Sequence, residues 1–169
     1  MKSFAFFSEG KGSLMRHTSP IAACAAAVLL SACVVTAEQP SMDIAHDVRQ
    51  IETVLMTQQD AWNRGDIPGF MQGYWQSDEL RFASGGNVTT GWQATLDRYL
   101  ESYAGEGKMG QLTFSDLEIE VTGPIDGLVF GKWELEREGD KPWGLFTLHF
   151  RKIGENGWVI VSDHTSSGS

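Results

Sequence analysis

Basic residues are scarce in this chain. Thirteen lysines and arginines stand against 22 aspartates and glutamates, for a formal net charge of −9. Binding to phosphate backbones or anionic lipid surfaces is driven by clustered lysine and arginine, so this balance speaks against nucleic acid as a partner and against electrostatic adsorption to membranes. Cysteine is rarer still. There are only two, Cys24 and Cys33, and both lie in the N-terminal stretch, so the rest of the chain has no intramolecular disulfide and no thiolate metal site. Long apolar runs are missing too: the one at residues 21–30 is too short to span a bilayer and has the length of a signal-peptide core. Stability must come from packing, and 169 residues at 41% hydrophobic content suffice for one domain.

Lys2, Lys11 and Arg16 precede that apolar run, and Leu30-Ser31-Ala32-Cys33 follows it. These four residues resemble the bacterial lipobox, in which small residues precede a cysteine that is acylated on sulfur and, after cleavage, on its own amine. The alternative is an ordinary cleavage site with an incidental cysteine. The expected organisation is a lipoprotein signal peptide at 1–32, a tether at 33–40 and one folded domain at 41–169. Cys33 then carries the lipid, and the protein sits in the bacterial envelope facing the periplasm, in contact with membrane only through its anchor. A start at Met15 gives a more ordinary leader layout, and the functional reading is the same with either start. Loss of the leader leaves 10 basic and 21 acidic residues, a net charge of −11.

The folded part opens with helical spacing. Ser41 is the expected N-cap, with Asp43 in the first turn. Ile44, Val48, Ile51, Leu55, Gln58 and Trp62 then recur on one face, widened by Val54 and Ala61. Gly65 suits the left-handed end of that helix, and Asp66 caps a second, short one that accepts Pro68 in its first turn. Residues 80–84 form a strand candidate followed by the turn Gly85-Gly86-Asn87. Thr90-Gly-Trp-Gln93 has capping-box spacing ahead of a helix carrying Trp92, Leu96, Tyr99 and Tyr103. Four alternating segments follow at 112–122, 128–137, 143–152 and 158–165, and a slip in apolar phase near Ser115-Asp116 predicts a β-bulge. Helices first and a meander later is an α+β layout.

The parts Ala61-Trp-Asn-Arg-Gly-Asp66, Gly91-Trp92 with Tyr99, Gly144-Leu-Phe-Thr-Leu148, and Gly157-Trp158 with Asp163-His164-Thr-Ser166 resemble the nuclear transport factor 2-like superfamily, in particular its SnoaL-like branch, over residues 43 to 166. The resemblance implies a cone-like α+β barrel, a strongly curved antiparallel sheet wrapped around N-terminal helices to leave a pocket, and pairing of two copies through their sheets. It does not choose a reaction, since isomerases, dehydratases, cyclases and non-catalytic modules share the cone. The positions at which the family's steroid isomerases carry a carboxylate base and a phenol are Phe82 and Gln58 here, and neither supplies that chemistry.

Strand parity sorts the other candidates. With Ile153 opposite Trp158, Phe146, Leu148 and Phe150 share the helix-facing side with Val159, Val161 and Asp163. Thr147, His149, Ile160, Ser162 and His164 then share the other side. Asp163 is thereby expected among apolar groups, either as a proton-transfer residue with a raised pKa or as a hydrogen-bonded structural acid. Glu134, expected opposite Thr147, pairs with His164 as an acid–base couple or as a cross-strand contact at a sheet-mediated dimer interface. Gln58, Trp62, Tyr74, Trp92, Tyr99 and Trp133 are expected on the pocket wall, with Arg81 as counter-charge for Asp163 or for an acidic ligand. His149 and His164 lack the carboxylate spacing of a metal site, and no cofactor motif is present. The functional expectation is capture of a small hydrophobic molecule by a mostly apolar pocket in a homodimer, with isomerase, dehydratase or cyclase chemistry, or pure assembly, as alternatives.

Overall fold

The computed structural model describes residues 43–103, 105, 107–154 and 157–168; the leader, Cys33 and Ser41 lie outside them. Helix α1 spans Ile44–Asn63, and its N-cap is Asp43, whose carboxylate accepts from the His46 amide at 2.9 Å. The cap is therefore Asp43 and not Ser41. The helix ends as its glycine predicts. Gly65 adopts φ +78, its amide bonds Trp62 O at 2.8 Å, and the Asp66 amide bonds Ala61 O at 2.9 Å, the paired bonds of a Schellman stop. Asp66 then caps α2 (Ile67–Met71) by accepting from the Gly69 amide at 2.8 Å.

Strands β1 (Arg81–Ser84) and β2 (Asn87–Thr90) form a hairpin around Gly85 and Gly86, both at positive φ as a two-residue primed turn requires. Helix α3 (Trp92–Tyr103) starts immediately after Gly91, while Thr90 is paired with Arg81 in the hairpin, so the capping box expected at Thr90 is replaced by a glycine start. The meander follows as β3 (Gln111–Val121), β4 (Asp126–Glu136), β5 (Trp143–Lys152) and β6 (Trp158–Thr165).

All six strands join in one curved, unclosed sheet of order β2-β1-β6-β5-β4-β3. It is not purely antiparallel, because β1 runs parallel to β6, with Phe82 opposite Asp163. The predicted bulge is present: the β3–β4 register shifts between Ser115 and Glu118, where Asp116 has φ 53. A second one was not anticipated. His149 pairs with Ser162 but Phe150 with Ile160, so Val161 is an extra residue and side-chain parity inverts there. Trp158 and Ile160 thus join Phe150 in the core, against the expected outward Ile160, while Asp163 still faces inward beside Leu148. At the other edge, α1 covers the free side of β3. Asn63 Oδ1 accepts from Leu112 N at 2.6 Å, Asn63 Nδ2 donates to Leu112 O at 3.0 Å, and Gln59 Oε1 accepts from Phe114 N at 2.7 Å, in place of a neighbouring strand.

Candidate functional site

Between the helices and the sheet's concave side lies a cavity of about 180 Å³. Its interior is walled by Trp62 from α1, Phe70 from α2, Phe82 from β1, Leu135 from β4, and Phe146 and Leu148 from β5, all buried. The exposed members of its lining, Ser102 and Ser167, mark the mouth.

Asp163 is the buried acid of this cavity, 3% exposed. Its surroundings explain both its placement and its charge. After α2 the chain clips onto β6 at the second bulge, with the Trp75 amide donating to Ile160 O and the Ile160 amide to Gly73 O, both at 2.9 Å. This holds Tyr74 over β6, and its hydroxyl donates to Asp163 Oδ2 at 2.7 Å. Thr165, two residues along the same strand face, donates to Oδ1 at 2.6 Å. Burial raises the Asp163 pKa to about 6, opposed by the Thr165 and Tyr74 hydrogen bonds and by the nearby His164. Burial first, then the Asp163 charge, holds the Tyr74 and Tyr99 phenols well above their ordinary range, so both remain proton donors at physiological pH. Burial raises Tyr103 as well, against the charges of Arg137 and Arg98.

Of the residues expected on the wall, Gln58, Trp62, Tyr74, Tyr99 and Trp133 line the cavity together with Asp163. Most are anchored by their polar ends: Gln58 Nε2 donates to Phe70 O at 2.9 Å, Trp62 Nε1 to Met109 O at 3.2 Å and Trp133 Nε1 to Ser166 O at 3.0 Å. Four of the expected residues are elsewhere. Trp92 packs beside the core with Nε1 on Met71 O at 2.9 Å and does not reach the cavity. Arg81 is exposed, because in β1 it alternates with the inward Phe82. His164 is exposed on the opposite face from its neighbour Asp163, and Glu134 is opposite Trp143, not Thr147, where it bonds Lys132 Nζ at 3.3 Å. No His164–Glu134 couple forms, since the β4–β5 register puts Phe130 against Thr147. His149 instead contacts Asp126 Oδ1 at 2.9 Å.

The cationic wall residue is Arg98, which sequence reasoning missed. Its guanidinium lies 5.0 Å from the Phe82 ring centre, with Nη1 on Thr89 Oγ1 at 3.0 Å and Nη2 on Ser84 O at 3.1 Å. A signal was available: Arg98, Tyr99, Ser102 and Tyr103 recur at the spacing of one helix face, and Tyr99 was already placed inward.

No family model and no curated protein matches the sequence. Solved structures do. An NTF-2 like protein of unknown function from Shewanella oneidensis MR-1 is 40% identical, with 72% of this chain and 98% of that one covered at a TM-score of 0.65. A nuclear transport factor 2 (NTF2-like) superfamily protein from Salmonella enterica is 19% identical over 74% and 93% of the two chains, with a TM-score of 0.62. A ketosteroid isomerase-like protein from Erwinia carotovora atroseptica is 19% identical over 73% and 97%, with a TM-score of 0.61, a likeness of fold alone. With the helices, the curved sheet and the cavity between them in place, the first of these relationships establishes that the chain belongs to the nuclear transport factor 2-like superfamily.

Proposed function

We propose that this protein is an envelope lipoprotein of the SnoaL-like branch whose cone-shaped domain binds a small, largely hydrophobic molecule. The observation that carries the reading is the cavity itself: aromatic and aliphatic walls surround one buried carboxylate whose two oxygens already accept from Tyr74 and Thr165. Such a site offers apolar area and a few fixed polar groups, the usual make-up of a ligand pocket. Its volume sets the scale of the guest. Pockets for drug-sized ligands run to roughly 300–1,000 Å³ and a cavity of about 150 Å³ accommodates benzene, so about 180 Å³ favours a single ring or a short chain. Cys33 anchors the domain to the membrane facing the periplasm, and two copies associate through the outer sheet face, where Leu128, Phe130, Trp143 and Leu145 are exposed.

Native mass spectrometry of the protein extracted from its own host tests the binding reading: a co-purifying small molecule is expected, and an apo mass alone from freshly extracted protein counts against it. Palmitate labelling that persists in Cys33→Ser removes the anchor. A second reading is favoured by the Asp163 pKa of about 6, which suits proton transfer near neutral pH in an isomerase, dehydratase or cyclase. Unchanged turnover of a discovered substrate by Asp163→Asn takes Asp163 out of any such mechanism.

A further inference from the structure

The geometry points to Arg98 as the docking point for an anionic group at the cavity mouth, so that the guest is a small organic carboxylate with an apolar body. This inference rests on the ligand-binding reading above and names its chemical class. Four other lysines and arginines among the described residues are half-buried, and each has a carboxylate partner: Lys132 with Glu134, Arg137 with Asp140, Arg151 with Asp126 and Lys152 with Asp47. Arg98 is half-buried without one. Its two hydrogen bonds go to a threonine hydroxyl and a backbone carbonyl, both neutral, and no described carboxylate lies within 4.0 Å of its nitrogens.

The guanidinium has five N–H donors in a fixed fork, and these two bonds leave donors unused. Because the group is planar and always charged, it matches a carboxylate or a phosphate, and the carboxylate is the smaller of the two for a cavity of about 180 Å³. The bonds to Ser84 and Thr89, together with the Phe82 ring beneath, fix the fork in place before a ligand arrives, which lowers the entropic cost of binding. Ser102 and Ser167 add hydroxyls at the same mouth, and the apolar body of the guest then extends inward between Phe82, Phe146 and Leu148. Asp163 is not the partner of Arg98: its oxygens accept from Tyr74 and Thr165, and no ion pair joins the two residues.

Titration calorimetry of the intact protein at pH 7.5 and low salt with benzoate, benzamide and benzylamine tests the assignment, since the three share one ring and differ in charge. Benzoate is expected to bind about tenfold or more tightly than benzamide, as one charge-assisted hydrogen-bond pair provides, with benzylamine weakest. In Arg98→Gln the benzoate-to-benzamide ratio is expected to fall to one or below, and Arg98→Lys to retain part of the preference. Equal wild-type affinities for benzoate and benzamide, or a preference for benzylamine, overturn the assignment while leaving the ligand-binding reading intact. Failure of all three to bind at millimolar concentration overturns both. The wild-type ratio decides the matter even if an Arg98 variant does not fold.

Discussion

The Tyr74 hydroxyl donates to Asp163 Oδ2 at 2.7 Å, joining the turn after α2 to β6 across 89 residues of sequence inside the cavity. The bond has two effects with opposite signs. It stabilises the ionised carboxylate, yet burial outweighs it and leaves the pKa at about 6.

Asp163 is expected to make the fold less stable as pH rises. A carboxyl group whose folded pKa exceeds its unfolded value binds its proton more tightly in the folded state, so stability falls between about pH 4 and pH 6 and levels off above. The displacement from 3.8 to about 6 corresponds to roughly 3 kcal/mol. Urea denaturation of Asp163→Asn between pH 4.5 and 7.5 is expected to lose most of this slope. In Tyr74→Phe, carboxyl NMR titration is expected to place the Asp163 pKa above the wild-type value; a lower one contradicts the hydrogen bond's role.

Asp47 carries the reverse case. Its Oδ1 accepts from Lys152 Nζ at 2.8 Å and Trp158 Nε1 at 3.0 Å while the residue is 4% exposed, and the Lys152 bond is the largest cause of its lowered pKa. Its stabilisation is therefore present at neutral pH and lost as pH falls below about 4. Asp47→Ala is expected to cost about 2–3 kcal/mol at pH 7 by urea denaturation, because it leaves the buried Trp158 N–H unpaired. Asp47→Asn keeps an acceptor and should lose less; equal losses for the two variants argue against the indole bond.

Local chemistry made much of this fold legible. Gly65 and Asp66 announce a helix stop and restart, and a phase slip betrays the bulge at Ser115-Asp116 because its flanks alternate cleanly. The bulge at Val161 left no such mark: Trp158 to Val161 is uninterruptedly apolar, so a parity change inside it is invisible. Asn87–Thr90 was not legible as a strand because its one large apolar side chain, Val88, is 68% exposed and no face alternates. At the site, Asp163 and its aromatic neighbours were readable from parity. Arg81 was misplaced because its setting depends on how β1 pairs with a strand about 80 residues away, which no local pattern encodes, whereas Arg98 was overlooked although its spacing puts it on the helix face of Tyr99 and Ser102.

The outer sheet face supports a prediction about assembly. Phe130 and Leu145 are 42% and 41% exposed on adjacent strands, with Leu128 and Trp143 beside them, and all point away from the cavity. Charges introduced there should leave the fold intact and prevent association. Wild type is expected to sediment as a dimer at tens of micromolar and Phe130→Glu with Leu145→Glu as a monomer, with an unchanged circular dichroism spectrum. A monomeric wild type at tens of micromolar removes sheet-mediated pairing.

Because Arg98 and Asp163 share one cavity, capture of an organic anion should depend on pH through the acid. At pH 7.5 Asp163 is ionised and repels a carboxylate guest; near pH 5.5 it is mostly neutral. The other titratable groups lining the cavity, Tyr74, Tyr99 and Tyr103, have raised pKa values and stay uncharged across this interval, while Arg98 stays charged. A benzoate guest, with an ordinary carboxyl pKa of about 4, remains an anion. Its affinity is therefore expected to rise about three- to tenfold from pH 7.5 to 5.5, a rise that Asp163→Asn abolishes and that benzamide does not show. A rise of equal size for benzamide traces the effect to the fold rather than to charge at the site.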